Sequence, residues 1–492
     1  MDDTVDYAEL GEVDRVRVDV ADYPGALATS AYGSTLAAPP SPGIPWRVDE
    51  APVVDEYVAT EAIEALAVEP WHAVGADGSG VRVAVFDVQW FNAAVAIEEL
   101  GNVSTQDCEA HRSCEPAMDT LRPRYSWEEG NHGVACAEVI RDLAPGAELF
   151  LVRVNGLTTF ENAVDWAIGE DIDVASMSMS FFNNSFHDGT GPLNDAAARL
   201  AAGGVLLVNS AGNYRYEHWL GTLDDTDRDG DLDFDWGSSY LPVYLGAGSQ
   251  SLQVSWDEWS ACGETDLDAI VYDSDGDVVG EASATQDPEG DSCAPIERVT
   301  VHAEDEDWYY LRVVRSRGGS PLRVGVYARG GTAYDWQPGS LADPASSPAA
   351  FTVGAVRADG YAHNNAESFS SRGPTRGGFD KPDIAGPDGL STRTYGPVGF
   401  YGTSASTPAV AAAIAVRMSE EPGLSARAAA DQLAANTLDA RPTWASWDGA
   451  LGAGRARLWD PSAESPCGGG AVAAVAPLLW WGRFRRRDAC SR

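Results

Sequence analysis

Positive charge is what this chain most lacks. Lys and Arg total 33 against 75 Asp and Glu, a formal net charge of −42 over 492 residues. That deficit excludes nucleic acid and anionic membrane surfaces as partners of the main body, because both must be neutralised by cationic side chains. Histidine is also scarce, at seven. The N-terminus, Met1-Asp-Asp-Thr-Val-Asp6, has neither the basic nor the apolar region of a signal peptide. No apolar run in the body of the chain reaches the length of a membrane span. Of the seven cysteines, Cys108 with Cys114 and Cys262 with Cys293 form two local pairs, and neither has the Cys-x-x-Cys spacing of a zinc site. They read as disulfides of an oxidising compartment. Cys136 reads as a buried free thiol. Disorder is excluded by 16 tryptophans and a hydrophobic share of 44%.

From residue 71 the chain alternates apolar runs with helical periods. Val81–Phe86 is a nearly continuous apolar run that ends in Asp87, and 147–154, 173–178 and 204–210 are similar runs. Helical patterns at 160–170 and 194–202 lie between them. Continuous apolar strands alternating with helices predict a doubly wound α/β fold with a mostly parallel sheet. Ligands in such sheets bind at the carboxyl ends of the strands, where Asp87, Ser178 and Asn213 fall. The pattern breaks near residue 223 and resumes near 338. Between these points short alternating segments, separated by turns such as Asp273-Ser-Asp-Gly276, predict an inserted all-β sandwich of jelly-roll type. The expected organisation is a leader or pro-segment at 1–70, a first catalytic part at 71–222, the insertion at 223–337, a second catalytic part at 338–460 and a tail at 461–492. In that tail a glycine-rich hinge, a short apolar segment and the arginines of Arg483-Phe-Arg-Arg-Arg487 resemble bacterial surface-sorting signals, so transient membrane anchoring is expected through it.

The insertion opens with an acidic loop. Asp225, Asp227, Asp229, Asp231, Asp233 and Asp235 have the alternate spacing of a Ca²⁺ loop, with Gly230 at the turn. Position twelve is Trp236, so the usual bidentate glutamate is missing and Asp235 is its expected substitute. Six neighbouring carboxylates repel unless a cation binds; the alternative is a solvated acidic linker.

The sharpest signal is Gly402-Thr-Ser-Ala-Ser-Thr-Pro408, followed by an Ala/Val/Ile run. Proline is tolerated in a first helical turn, so a helix is expected to begin near Ser404. That position sets its hydroxyl beside backbone N–H groups at the positive helix end. It suits a nucleophile or a plain N-cap serine. Three more motifs decide between them. Asp87 at a strand end, His132-Gly-Val-Ala-Cys-Ala137, Ser210-Ala-Gly-Asn213 and the Ser404 stretch occur in the order seen in subtilisin-like serine peptidases, which this chain resembles over about residues 71–222 and 338–440.

The resemblance implies a serine endopeptidase acting on protein or peptide substrates as a secreted or cell-surface protein, expected to be a monomer and to need no catalytic cofactor. Ser404 would be the nucleophile, His132 its base and Asp87 the residue that orients the imidazole, with Asn213 in the oxyanion hole. Ser178, Met179 and Ser180 would form the peptide-binding edge, and Ser178 with Ser210, Ala211 and Gly212 the first specificity pocket, apolar or broadly tolerant. The sequence departs from the family pattern at Val88-Gln-Trp-Phe91, Val134, Glu138 and Ala405-Ser406. The rival reading is therefore a catalytically impaired peptidase fold that binds or scaffolds at the cell surface.

Overall fold

The computed structural model describes residues 59–90, 99–108, 113–116, 130–226, 228, 231–234, 237–259, 264–287, 293–319, 321–333, 338–439 and 448–462. Most of the expected pro-segment, the tail, Cys262, Asp227, Asp229 and Asp235 lie outside these residues.

Two short helices, α1 (Ala62–Ala65) and α2 (Glu69–His72), precede the first strand, β1 (Arg82–Asp87). β1 is buried from Val83 to its end, and its side chains alternate between two cores: Val83 and Val85 enter one, Ala84 and Phe86 the other. That two-sided burial is why the run lacks polar alternation. Strands β2 (Val103–Asp107) and β3 (Glu115–Pro116) form the sheet edge. Then come α3 (His132–Leu143), β4 (Glu148–Arg153), α4 (Leu157–Gly169), β5 (Val174–Met177), α5 (Pro192–Ala202) and β6 (Leu206–Ser210).

Nine strands follow before the sheet resumes: β7 (His218–Leu223), β8 (Leu241–Leu245), β9 (Gly248–Trp256), β10 (Asp266–Tyr272), β11 (Val278–Ala282), β12 (Ile296–Ala303), β13 (Asp307–Arg317), β14 (Leu322–Arg329) and β15 (Thr332–Ala333). They make two sheets, β11-β10-β13-β8-β15 and β12-β9-β14-β7, whose strand pairs are antiparallel. Trp219, Phe234, Trp256, Leu311 and Val326 lie in a core that these strands share among themselves. Sequence reading located β9, β10, β12, β13 and β14 but not β7, β8 or β11. Pro242 disguises β8, and β11 is partly exposed on every residue, so neither carries a clear period.

The chain then returns as β16 (Phe351–Arg357), β17 (Ile384–Asp388), the hairpin β18 (Leu390–Thr392) and β19 (Gly396–Phe400), and helices α6 (Thr403–Glu420) and α7 (Ala426–Ala435). The large sheet has the order β17-β16-β6-β5-β1-β4-β2-β3 and is parallel except at β2–β3. Its direction of winding reverses at β1. The carboxyl end of β1, occupied by Asp87, is thus the topological switch point where a ligand crevice is expected. Helices α3 and α6 cover one face and α4 and α5 the other. α6 is buried around its whole circumference from Ala405 to Met418, which explains its Ala/Val/Ile composition.

One expectation about α6 needs correction. Pro408 is its sixth residue and lies in the second turn, not the first. A proline there has no N–H for the carbonyl of Ser404. Ser178 supplies the missing donor: its hydroxyl donates to Ser404 O at 3.1 Å, with the Cys136 thiol 3.8 Å away.

Candidate active site

Asp87 leaves β1 with both carboxylate oxygens engaged. Oδ1 accepts the backbone N–H of Val88 at 2.8 Å and of Gln89 at 3.1 Å, and Oδ2 accepts the Nδ1–H of His132 at 2.7 Å. The first two donors are main-chain groups, so the unusual residue types after Asp87 do not disturb them. Trp90 turns back beneath the strand, and its indole N–H donates to Asp87 O at 2.9 Å. His132 opens α3, and Gly133 N–H donates to Gln89 O at 3.1 Å, tying the helix start to the strand end.

Burial opposes a charged imidazole at His132. The Asp87 carboxylate and its hydrogen bond outweigh that effect and hold the group above the ordinary histidine range. One helical turn on, burial pushes the Cys136 thiol far up, and the Asp87 charge adds to this. A thiol so held stays protonated and inert.

Across the cleft, Gly402 caps α6 at φ +99°, a conformation that favours glycine. Asn213 follows β6, and its Oδ1 accepts both the N–H of Thr403 at 3.0 Å and the Thr403 hydroxyl at 3.1 Å. With its oxygen so occupied, the Asn213 side chain has its NH₂ left to offer a ligand. Thr403 Oγ1 also accepts Gly212 N–H at 3.1 Å. Asp87, His132, Ser178, Ser210, Asn213 and Ser404 line one cavity of about 70 Å³, together with Val88, Gln89, Met179, Ser180, Gly212, Tyr214 and Thr403. A larger open trough of about 630 Å³ lies at the amino end of β1 beside Arg82 and Arg141. It is lined by paired charges and by none of these groups.

The subtilase family model matches residues 78–230 and 315–454, more than half of the chain. The chain belongs to the subtilase family. Its members are serine peptidases. Among solved structures this subtilase is similar to the CspB protease of Clostridium perfringens, at 16% identity and a TM-score of 0.56, over 81% of this chain and 97% of that one. That likeness is one of fold. MycP1 of Mycobacterium smegmatis is also similar, at 15% identity and a TM-score of 0.41, over 83% of this chain and 86% of that one. No curated protein matches the sequence.

The cavity of this subtilase gathers Asp87, His132, Asn213, Ser404 and five of the six residues expected around substrate; Ala211 is fully buried outside its lining. Cys108 and Cys114 are joined in a disulfide, and Cys293 is disulfide-bonded. Cys136 is free and buried. The acidic loop lies elsewhere, on the strands of the insertion. Asp225 pairs with Arg315 at 2.8 Å, Asp231 pairs with Arg312, and Asp233 accepts the N–H of Thr226 at 3.1 Å.

Sequence reading missed Asp388. It ends β17 as Asp87 ends β1, is fully buried, and accepts Gly402 N–H at 2.6 Å. Burial pushes its pKa well up, with the Glu367 charge adding to this. A carboxylate closing an apolar strand was the signal that found Asp87, and it was present at Asp388 too. Tyr214 was also missed, since an aromatic residue after Asn213 carries no motif.

Proposed function

We propose that this subtilase is a serine endopeptidase working through Asp87, His132 and Ser404. The Ser404 hydroxyl attacks a peptide carbonyl as His132 takes its proton, and a tetrahedral oxyanion forms toward the Asn213 amide and the Ser404 N–H. Collapse gives an acyl-enzyme as His132 returns the proton to the leaving amine. Water then reverses the sequence. Asp87 keeps the proton on Nδ1, leaving Nε2 free to act as base, and it stabilises the imidazolium without itself being protonated. The observation that carries this reading is the 2.7 Å Asp87–His132 pair in one cavity with Ser404 at a helix start.

A fluorophosphonate probe, which reacts only with an activated serine, tests it. Labelling of the wild type and none of Ser404→Ala is expected. No labelling of the wild type would favour the impaired, binding-only reading.

We propose further that the protein works in an oxidising, extracellular setting, which its disulfide-bonded cysteines support. Ca²⁺ binding at the acidic loop is also proposed, with no part in the chemistry. The described carboxylates are already met by two arginines and a threonine, so a cation would have to compete with them. A melting temperature that rises over millimolar Ca²⁺ is expected; no rise would leave the arginines as the closure of the loop.

A further inference from the structure

We propose that this enzyme cleaves after small residues, with Tyr214 setting the size limit and strand β14 of the insertion bracing it. The proposal rests on the peptidase reading above and adds to it a substrate class. When a peptide carbonyl sits against Ser404 with its oxygen toward Asn213, the side chain of that residue (P1) must enter what remains of the cavity. Asp87 and His132 occupy one side. The remaining space lies toward Met179, Ser180, Gly212 and Tyr214.

That space is small. The whole cavity is about 70 Å³, against roughly 300–1,000 Å³ for usual ligand pockets. At ~10–15 Å³ for each water-sized group, it admits about five to seven such groups. The attacked carbonyl takes some of them. Little room is left beside it, which favours a methyl or hydroxymethyl side chain over the ring of a phenylalanine.

Tyr214 is the wall that makes it small. Gly212 has φ +92°, and a Cβ built there would stand 2.3 Å from Tyr214 Cε2 and 2.5 Å from Cδ2. The ring therefore lies directly on the glycine, at the floor of the cavity. Two neighbouring rings hold it, and a backbone hydrogen bond fixes the chain beneath it. Phe182 meets it edge-on at 4.8 Å between centroids, and Tyr327 of β14 meets it at 6.0 Å. Phe182 and Tyr327 in turn pack against each other at 4.7 Å, both buried. The Tyr214 N–H donates to Ser371 Oγ at 3.1 Å. Edge-on aromatic contacts of this kind stabilise the packing beyond simple burial. The contacts with Phe182 and Tyr327 oppose a swing of the ring toward them when a large P1 group arrives.

The test uses the full chain and a set of fluorogenic peptides differing only at P1: glycine, alanine, leucine or phenylalanine. For the wild type, kcat/KM with alanine should exceed that with phenylalanine by about 10²-fold or more, the order expected when a pocket excludes several methylene-sized groups. Tyr214→Ala should cut that ratio at least tenfold by raising the phenylalanine rate relative to the alanine rate. Tyr327→Leu, which removes the brace but no part of the wall, should shift the ratio in the same direction by less. A wild type that cleaves after phenylalanine as well as after alanine would overturn the proposal, as would a Tyr214→Ala variant that labels normally and keeps the wild-type ratio. Calorimetric binding of the same peptides to Ser404→Ala needs no turnover and should follow the same order. That order without wild-type labelling would overturn the peptidase reading and uphold the pocket.

Discussion

Single residues in and around the proposed site make measurable demands. His132 must be neutral to act as base, and Asp87 holds it protonated above the usual range. The acid limb of kcat/KM should therefore lie above ~6.5, the ordinary histidine value. Its contribution to stability runs the other way: the ion pair is fully present below that value and is lost as pH rises through the raised one. Asp87→Asn should lower kcat by about 10⁴-fold by allowing the wrong imidazole tautomer, read by steady-state kinetics. Asn213→Ala should cost roughly 10²–10³ in kcat, the magnitude known for the corresponding loss in subtilisin. Ser406 offers a contrast, since among the described residues its buried hydroxyl has no hydrogen-bond partner. Ser406→Ala should raise stability by about 1 kcal/mol, seen as a higher melting temperature with kcat unmoved.

Individual elements explain how those residues meet. Glu138 belongs to α3, and its carboxylate accepts the Thr394 N–H at 3.1 Å and hydroxyl at 2.7 Å, from the turn between β18 and β19. That hairpin leads to Phe400, whose ring stands edge-on to His132 at 5.7 Å. Burial raises the Glu138 pKa to about 7. The folded protein then binds more protons than the unfolded chain between pH ~4.5 and ~7, so stability falls as pH rises across that window, by at most about 1.4 kcal/mol per unit. Glu138→Gln should flatten that slope in pH-dependent denaturant melts. The elements also set what could be read from the chain. β1, β4, β5 and β6 were legible because strands buried on both faces are apolar throughout, and motifs at strand ends and helix starts marked Asp87, His132, Asn213 and Ser404 as candidates. The partner of the Ser404 carbonyl was not legible. It follows from Pro408 lying a turn deeper than expected, and only the fold brings Ser178, 226 residues away in sequence, to that carbonyl. Glu138 was visible as a departure from the family pattern, but its tether to Thr394 is a tertiary fact.

At the scale of the whole molecule, the strands β7 to β15 and the large sheet share a boundary beside the cleft. β7 begins five residues after Asn213, and the aromatic cluster of Phe182, Tyr214 and Tyr327 joins body and insertion. No helix of the described residues is long and apolar enough to cross a membrane. The two strands that flank the insertion, β6 and β16, are hydrogen-bonded neighbours, with Phe351 opposite Val208. Where the chain leaves and rejoins the body, Ala333 N–H donates to Tyr216 O at 2.8 Å, and Phe181 N–H donates to Asp343 O at 2.8 Å.

That pairing has a kinetic consequence. The body is not complete until β16 finds β6 across more than a hundred intervening residues, a contact whose loop-closure entropy slows folding. Strands β7 to β15 have a core of their own, and once formed they draw Tyr216 and Ala333 together and shorten that search to residues 211–215 on one side and 334–350 on the other. The insertion would thus act as a folding clamp for the enzyme. Val299→Ala, a cavity in that core on β12, a strand with no residue lining the cleft, should slow recovery of fluorophosphonate labelling after dilution from denaturant, while fully refolded protein labels at the wild-type rate.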